Sequence, residues 1–151
     1  FLPEDHPINE KVWATASDWA EQNNYNFDSS TGTLIHRYRD GGHYGWHVDG
    51  FGKTDRFSMS IQLSDPNDYE GCELQFGEDL TGSNRTTGQD AFHDWELTQK
   101  SVKPIHTFSK NIGAGCIYDS FIYHRVTPLV KGTRYVLLHW FREYNDNTKN
   151  T

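Results

Sequence analysis

Cysteine, methionine and long apolar runs are scarce in this sequence, and each scarcity narrows the classes of protein it can encode. Two cysteines, Cys72 and Cys116, are too few for a disulfide framework, so we expect reduced thiols in a cytoplasmic protein. No apolar stretch is long enough to span a bilayer, so no membrane partner is expected. The formal net charge of -7 argues against nucleic acid as a partner, because phosphate contacts need a positive surface.

The 151 residues fit one domain, and an aromatic content of 15% beside a single methionine favours sheets over a helix bundle. A helix is predicted at about residues 9–23, with Asn9 as its N-cap, because apolar side chains recur there every three or four residues. From residue 33 to 142, turn residues separate about seven or eight short strands. This order predicts a mostly β fold with a flanking helix, either a sandwich or a barrel-like roll.

Alternation of apolar and polar side chains is clearest in residues 56–63, where Arg56, Ser58, Ser60 and Gln62 share one face. This polar face lies either in solvent or along a ligand-filled cavity, and a fold of two facing sheets favours the cavity. Other strands are predicted at residues 34–38, 72–76, 105–108, 116–118, 121–126 and 134–141. Residues 64–71 and 128–132 are predicted turns, and residues 77–103 a long polar excursion or lid.

Residues 44–50 hold a histidine and an aspartate two positions apart, His47 and Asp49. If this stretch is extended, both side chains leave the same face, because side-chain direction alternates along a strand. Downstream lie His124 and Arg134, on either side of the predicted turn at residues 128–132. A hairpin at this turn would place Arg134 on the strand beside His124.

Two histidines and one carboxylate bind one face of a metal ion and leave three positions open, as in non-haem Fe(II) oxygenases. The open positions admit a bidentate co-substrate together with dioxygen, and a buried arginine nearby would pair with a distal carboxylate. Two other classes stay open at this point. The same ligands suit Zn(II) or Mn(II) in a cupin-like hydrolase, and the fold can also serve as a non-catalytic metal-binding module.

The ordered set of motifs resembles the 2-oxoglutarate- and Fe(II)-dependent dioxygenases, and within them the prolyl 4-hydroxylase-like branch. That pattern is His-x-Asp, a distant histidine, and an arginine or lysine about ten residues later, which His47, Asp49, His124 and Arg134 match. Two tyrosines precede His-x-Asp, and residues 61–65 and 69–74 resemble the family's segments on the next strands. The resemblance covers roughly residues 33–142, and Cys72 stands where the family has a glycine.

The resemblance implies a double-stranded β-helix, or jelly roll, with the N-terminal helix packed outside the larger sheet. It assigns Fe(II) to His47, Asp49 and His124, and the distal carboxylate of 2-oxoglutarate to Arg134. Further co-substrate contacts are expected from Tyr38, Gln62 and Trp140. Substrate contacts are expected from Tyr44, Trp46 and Arg56, although Arg56 is one residue out of register with the family's arginine.

The activity implied is hydroxylation of a C–H bond by O₂, with 2-oxoglutarate converted to succinate and CO₂ and with ascorbate as a stimulant. A prolyl residue in a peptide or protein is the expected substrate, with a free amino acid or another small molecule as the alternative. Arg134 and Tyr38 argue against a hydrolase, which needs no keto-acid site, and the complete triad argues against a non-catalytic module. The sequence predicts no oligomeric state.

Overall fold

Two antiparallel sheets form the body of the structure, a computed structural model that describes residues 1–50, 54–81 and 95–144. The first sheet contains β1 (Ser29–Ser30), β2 (Leu34–Tyr38), β4 (Asp55–Gln62), β8 (Gly115–Asp119) and β11 (Arg134–Arg142). The second contains β3 (Tyr44–His47), β6 (Leu74–Asp79), β7 (Val102–Thr107) and β9 (Tyr123–Val126). Strands β5 (Tyr69–Gly71) and β10 (Leu129–Gly132) form a separate two-stranded ribbon. The described helices are α1 (Pro7–Asn23) and α2 (Trp95–Ser101).

Strand order places the longest strand, β11, inside the first sheet. It pairs with β4 on one side and with β1 and β2 on the other, and β8 lies beyond β4. The second sheet has the order β3-β9-β6-β7. Two facing antiparallel sheets with a helix outside the larger one is the arrangement expected for a jelly roll.

The two faces of β4 explain why the first sheet has an outer and an inner side. Phe57 and Met59 on the outer face pack with Leu137 and Phe141 of β11 against the apolar stripe of α1. Ser58, Ser60 and Gln62 point the opposite way and are all buried. Of the two interpretations of the polar face, burial between the sheets is therefore the one that the structure shows.

The start of α1 differs from the sequence-based prediction. His6 is the N-cap, and its Nδ1 accepts a hydrogen bond from the Ile8 amide at 3.2 Å, so the helix begins at Pro7. Asn9, predicted as the cap, instead donates to the carbonyl oxygens of Pro3 and Glu4. Proline suits the first helical turn because its missing N–H has no intrahelical partner there.

The two segments predicted as turns contain short strands. Within residues 64–71 a 3₁₀ turn at Pro66–Asp68 leads into β5, and β5 pairs with β10 from the second segment. Short strands that pair over a long sequence separation leave little local pattern to detect. The neighbouring strand β6 also begins at Leu74 rather than residue 72, because Cys72 has a φ of 53°, which an extended strand does not accommodate.

The predicted excursion at residues 77–103 contains regular structure at both ends. Strand β6 continues to Asp79, and α2 and the start of β7 occupy residues 95–103. Residues 82–94 lie outside the described residues, so a lid there stays a prediction. Among the described residues, no helix is long and apolar enough to cross a membrane.

Strand pairing contradicts the predicted hairpin between His124 and Arg134. Strand β9 pairs with β3 and β6, whereas β11 pairs with β1, β2 and β4. The connection through β10 carries the chain from one sheet to the other instead of folding it back on itself. Arg134 therefore lies in the sheet opposite His124.

A buried histidine on the outer face of β11 makes the stability of the fold dependent on pH. The Thr33 hydroxyl donates to Asn9 Oδ1, so it accepts from Nδ1 of His139, and burial lowers the pKa of His139 from 6.5 to about 4. Between these pH values the unfolded chain binds the additional proton, so folding stability falls as pH decreases, by about 3 kcal/mol in total. Urea unfolding at pH 7 and pH 4.5 should show a smaller pH effect for His139→Asn than for the wild type. An equal effect in both proteins would contradict this assignment.

Candidate metal centre

The three proposed metal ligands meet at the junction of two paired strands in the second sheet. His47 on β3 lies opposite His124 on β9, and Asp49 follows two residues after His47. Asp49 Oδ1 lies 3.4 Å from Nε2 of His47 and 3.5 Å from Nε2 of His124. All three ligand atoms lie within 4.8 Å of one another, so a single ion could contact them all.

Hydrogen bonds behind the ligand atoms hold each side chain in a metal-binding orientation. Nδ1 of His47 lies 2.8 Å from the Gly45 carbonyl oxygen, and Nδ1 of His124 lies 3.0 Å from that of Ile122. A carbonyl oxygen only accepts, so both Nδ1 atoms carry a proton, and in the neutral imidazole it is Nε2 that keeps the lone pair for a metal. The Ser58 hydroxyl donates to Asp49 Oδ2 at 2.7 Å, which leaves Oδ1 toward the histidines.

The charges of the triad suit a divalent cation. Burial alone would raise the pKa of Asp49, but His124 and His47 outweigh it and hold this pKa well below its usual value. Burial and the neighbouring His124 lower the pKa of His47, whereas Asp49 raises that of His124 against the effect of burial. An ionised carboxylate beside imidazole lone pairs is the protonation state in which these groups bind metal.

Ser58 acts on Asp49 by a contact that the sequence did not predict. Because hydrogen-bond partners of ligating carboxylates orient them, Ser58→Ala should weaken Mn(II) or Fe(II) binding by about 10-fold to 100-fold. Titration of the metal by calorimetry checks this, with Ser109→Ala as a matched control, because Ser109 is exposed and does not line the cavity. Unchanged affinity in Ser58→Ala would show that Asp49 needs no such support.

A cavity of about 440 Å³ lies between the sheets and includes the triad. Its lining from the first sheet contains Tyr38, Ser60, Tyr118, Arg134 and Trp140. Arg134, although in the sheet opposite His124, therefore borders the same cavity as the triad. The structure thus brings together the triad, the arginine and the residues Tyr38 and Trp140 in one cavity.

Arg134 is a buried charge, with 1% of its surface exposed. Its Nε and Nη2 donate to Gln62 Oε1 at 3.1 and 2.9 Å, and Nη1 lies 3.9 Å from the Cys72 sulfur. The Tyr38 ring lies 5.3 Å from the guanidinium carbon. Within the described parts of the chain these partners are neutral, and a buried charge without a counter-ion is costly. The site is therefore suited to a carboxylate ligand.

A buried hydroxyl in the same cavity supports this fit. The Ser60 Oγ atom is buried and has no hydrogen-bond partner among the described residues. Buried polar atoms are usually paired, so an oxygen-rich ligand in the cavity would satisfy it. Together with the buried guanidinium of Arg134, Ser60 makes the residues present fit a dicarboxylate such as 2-oxoglutarate.

Two of the residues expected to contact substrate lie elsewhere. Trp46 alternates with His47 along β3 and so points away from the cavity, where it is 2% exposed and 4.6 Å from the Arg125 guanidinium. Arg56 forms an ion pair with Glu143 at 2.9 Å, and it does not line the cavity. Tyr44 does line it, half exposed, with its ring centre 4.2 Å from that of His47.

Tyr118 is a cavity residue that sequence reasoning missed. Its ring centre lies 4.9 Å from that of His124, and burial, reinforced by Asp49, raises the pKa of its phenol well above 10. The phenol is therefore neutral and able to donate a hydrogen bond inside the cavity. The signal was weak, because one tyrosine in a three-residue predicted strand does not reveal which face is inward.

Comparison with known proteins agrees with this geometry. The model of the 2OG-Fe(II) oxygenase superfamily matches residues 33–142, so the chain belongs to that family, as its motifs predicted. Members of this family take their name from Fe(II) and 2-oxoglutarate, the two groups that the donor set and Arg134 suit.

Curated relatives carry the name PKHD-type hydroxylase. One from Synechococcus sp. is 32% identical over 114 residues, which are 74% of this chain and 41% of that protein. One from Pseudomonas fluorescens is 28% identical over 153 residues, which are 92% of this chain and 58% of that protein. The chain thus spans about half the length of the curated relatives it matches.

Solved structures share the fold. A Pseudomonas putida prolyl-4-hydroxylase matches with a TM-score of 0.65 and 16% identity, over 95% of this chain and 71% of that one. A viral collagen prolyl hydroxylase from Paramecium Bursaria Chlorella virus-1 matches with a TM-score of 0.61 and 15% identity, over 95% and 72% of the two chains. These matches confirm the predicted jelly-roll fold.

Proposed function

We propose that this domain is a 2-oxoglutarate- and Fe(II)-dependent dioxygenase that hydroxylates a C–H bond in a prolyl residue of a peptide or protein. The observation that carries the proposal is one cavity bordered by three convergent metal-ligand atoms and a buried, neutrally surrounded arginine. A hydrolase requires the metal but needs no site for a keto-acid co-substrate, which Arg134 and Tyr38 suit. The curated relatives and structural neighbours are named as hydroxylases, which supports the same reaction class.

Each cavity residue has a role in this reaction. His47, Asp49 and His124 hold Fe(II), which when bound supplies the activation of O₂ that is coupled to conversion of 2-oxoglutarate into succinate and CO₂. Arg134 holds the distal carboxylate, and Ser60 and Tyr38 offer hydroxyls to the co-substrate. The position of the cavity between the two sheets limits contact of the reacting groups with bulk water.

The cavity wall supports a peptide substrate with an apolar ring. Leu34, Leu138 and Trp140 give one side an apolar surface, and Tyr44 presents a half-exposed aromatic ring next to His47. Proline-rich segments dock on exposed aromatic side chains, because their extended conformation costs little entropy on binding. A free amino acid is the alternative substrate, and ascorbate is expected to stimulate turnover.

The proposal is tested by measuring succinate formed from 2-oxoglutarate with Fe(II), with and without a proline-rich peptide, and by mass spectrometry of the peptide. A gain of one oxygen on proline together with peptide-stimulated succinate supports the full proposal. Stimulation by a free amino acid alone would replace the peptide by the small-molecule alternative. Absence of succinate under every condition, with no binding of 2-oxoglutarate, would refute the dioxygenase assignment.

A further inference from the structure

Arg134 is held along one edge of its guanidinium by a single oxygen atom. Gln62 Oε1 accepts from both Nε and Nη2, which together form the side edge of the group. Nη1 contacts the Cys72 sulfur, and Tyr38 and Tyr69 lie near enough for Arg134 to oppose the rise that burial causes in their pKa values. The end of the group formed by Nη1 and Nη2 is the end that can receive a carboxylate in a two-pronged contact.

Gln62 is well placed to hold the arginine still. It is 2% exposed at the end of β4, and it lies opposite Val136 in the pairing with β11, two residues from Arg134. Its own backbone is anchored, since its N–H donates to the Ala114 carbonyl and its carbonyl accepts from the Gly113 N–H. Diagonal neighbours on one face of a sheet are within reach of long side chains. The amide therefore joins two rigid strands.

The neutral charge of Gln62 matters as much as its position. A glutamate of the same shape would offer the same oxygen to Nε and Nη2 but would also neutralise the arginine. A second carboxylate would then gain far less from binding beside it. Glutamine holds the guanidinium and leaves its positive charge available.

We infer that Gln62 is a positioning residue that acts on 2-oxoglutarate through Arg134, an inference that rests on the proposed function. This differs from the direct contact with the co-substrate carboxylate that the sequence suggested for Gln62. The distinction is measurable, because a residue that acts through Arg134 loses its effect when Arg134 is replaced.

The test measures binding of 2-oxoglutarate by calorimetry to the Mn(II)-loaded domain, without turnover. Gln62→Met, which removes the acceptor, should raise the Kd about 10-fold, and Gln62→Glu should raise it about 100-fold or more. In an Arg134→Met background, Gln62→Met should change the Kd by less than about 2-fold. Binding of 2-oxopentanoate, which lacks the distal carboxylate, should be the same in the wild type and all variants.

Thermal melting and the Kd for Mn(II) show whether each variant folds, and Gln62→Glu is expected to fold because it forms an internal ion pair with Arg134. Equal losses in Gln62→Glu and Gln62→Met, or a Gln62→Met effect that persists without Arg134, would overturn the positioning role. Failure of the wild type to bind 2-oxoglutarate would instead overturn the proposed function, and this inference with it. If Arg134→Met weakens binding but both Gln62 variants do not, only the inference fails.

Discussion

Replacing His124 by alanine should abolish metal binding and with it any formation of succinate. His124 is 4% exposed, its Nδ1 is held by the Ile122 carbonyl, and its Nε2 faces Asp49. Removing it leaves only two of the three convergent ligand atoms. Mutation of residues that only hydrogen-bond to metal ligands lowers metal affinity or activity by about 10-fold to 100-fold. Loss of a ligand itself should therefore reduce activity to below about one hundredth of the wild type. Calorimetric titration with Mn(II) and succinate detection measure the two effects separately.

Two further variants separate loss of the ligand from loss of the fold. Asp49→Asn keeps the side-chain shape and an oxygen able to accept from Ser58, yet it should also lose the metal because the carboxylate charge is gone. His106→Ala removes an exposed histidine of β7 and should bind metal as the wild type does. Wild-type affinity for Mn(II) in His124→Ala would refute its assignment as a ligand.

Replacing Arg134 should raise the required concentration of 2-oxoglutarate while leaving metal binding intact. Arg134→Met keeps much of the side-chain volume but removes the buried charge that Gln62 holds. Truncating one partner of a buried, hydrogen-bonded charge pair costs about 2–5 kcal/mol, so the KM for 2-oxoglutarate should rise at least about 30-fold. Steady-state kinetics across 2-oxoglutarate concentrations, with Mn(II) affinity measured in parallel, test both halves of this expectation.

The matched control for Arg134 is Arg39, an exposed arginine whose Nε pairs with Asp40 at 3.6 Å. Arg39→Met should leave the KM for 2-oxoglutarate unchanged. Arg134→Lys keeps a positive charge but loses the planar, two-pronged contact, so its KM should lie between those of the wild type and Arg134→Met. An unchanged requirement for 2-oxoglutarate in Arg134→Met would show that the carboxylate is bound elsewhere.

Periodic stretches of the fold were predictable from the chain alone. Strand β2 has the predicted bounds, and β4 and β11 differ from prediction by one residue at their ends. The alternation of apolar and polar side chains in these strands is long or regular enough that a single residue out of pattern does not obscure it. The ribbon of β5 and β10 was predicted as two turns, because its short strands are stabilised by each other rather than by their own side-chain pattern.

Contacts between distant residues account for what the sequence could not predict in the site. The Ser58 hydroxyl reaches Asp49 only because β4 faces β3 across the cavity, and Tyr118 enters the cavity with β8. Trp46 was expected to contact substrate, but it faces away from the cavity that its neighbour His47 lines. Each outcome depends on which face of a strand meets the opposite sheet.

The sequence by itself determined which chemical groups are present and in what order: His47 and Asp49 two residues apart, then His124, then Arg134 ten residues later. Local spacing suffices for the first pair, because alternation along an extended chain aligns their side chains. Only the tertiary structure decided how Arg134 reaches the cavity. It approaches from the sheet opposite His124, held by Gln62 of the neighbouring strand. Strand pairing over long separations is selected by burial of both sheets together, and no local stretch encodes it.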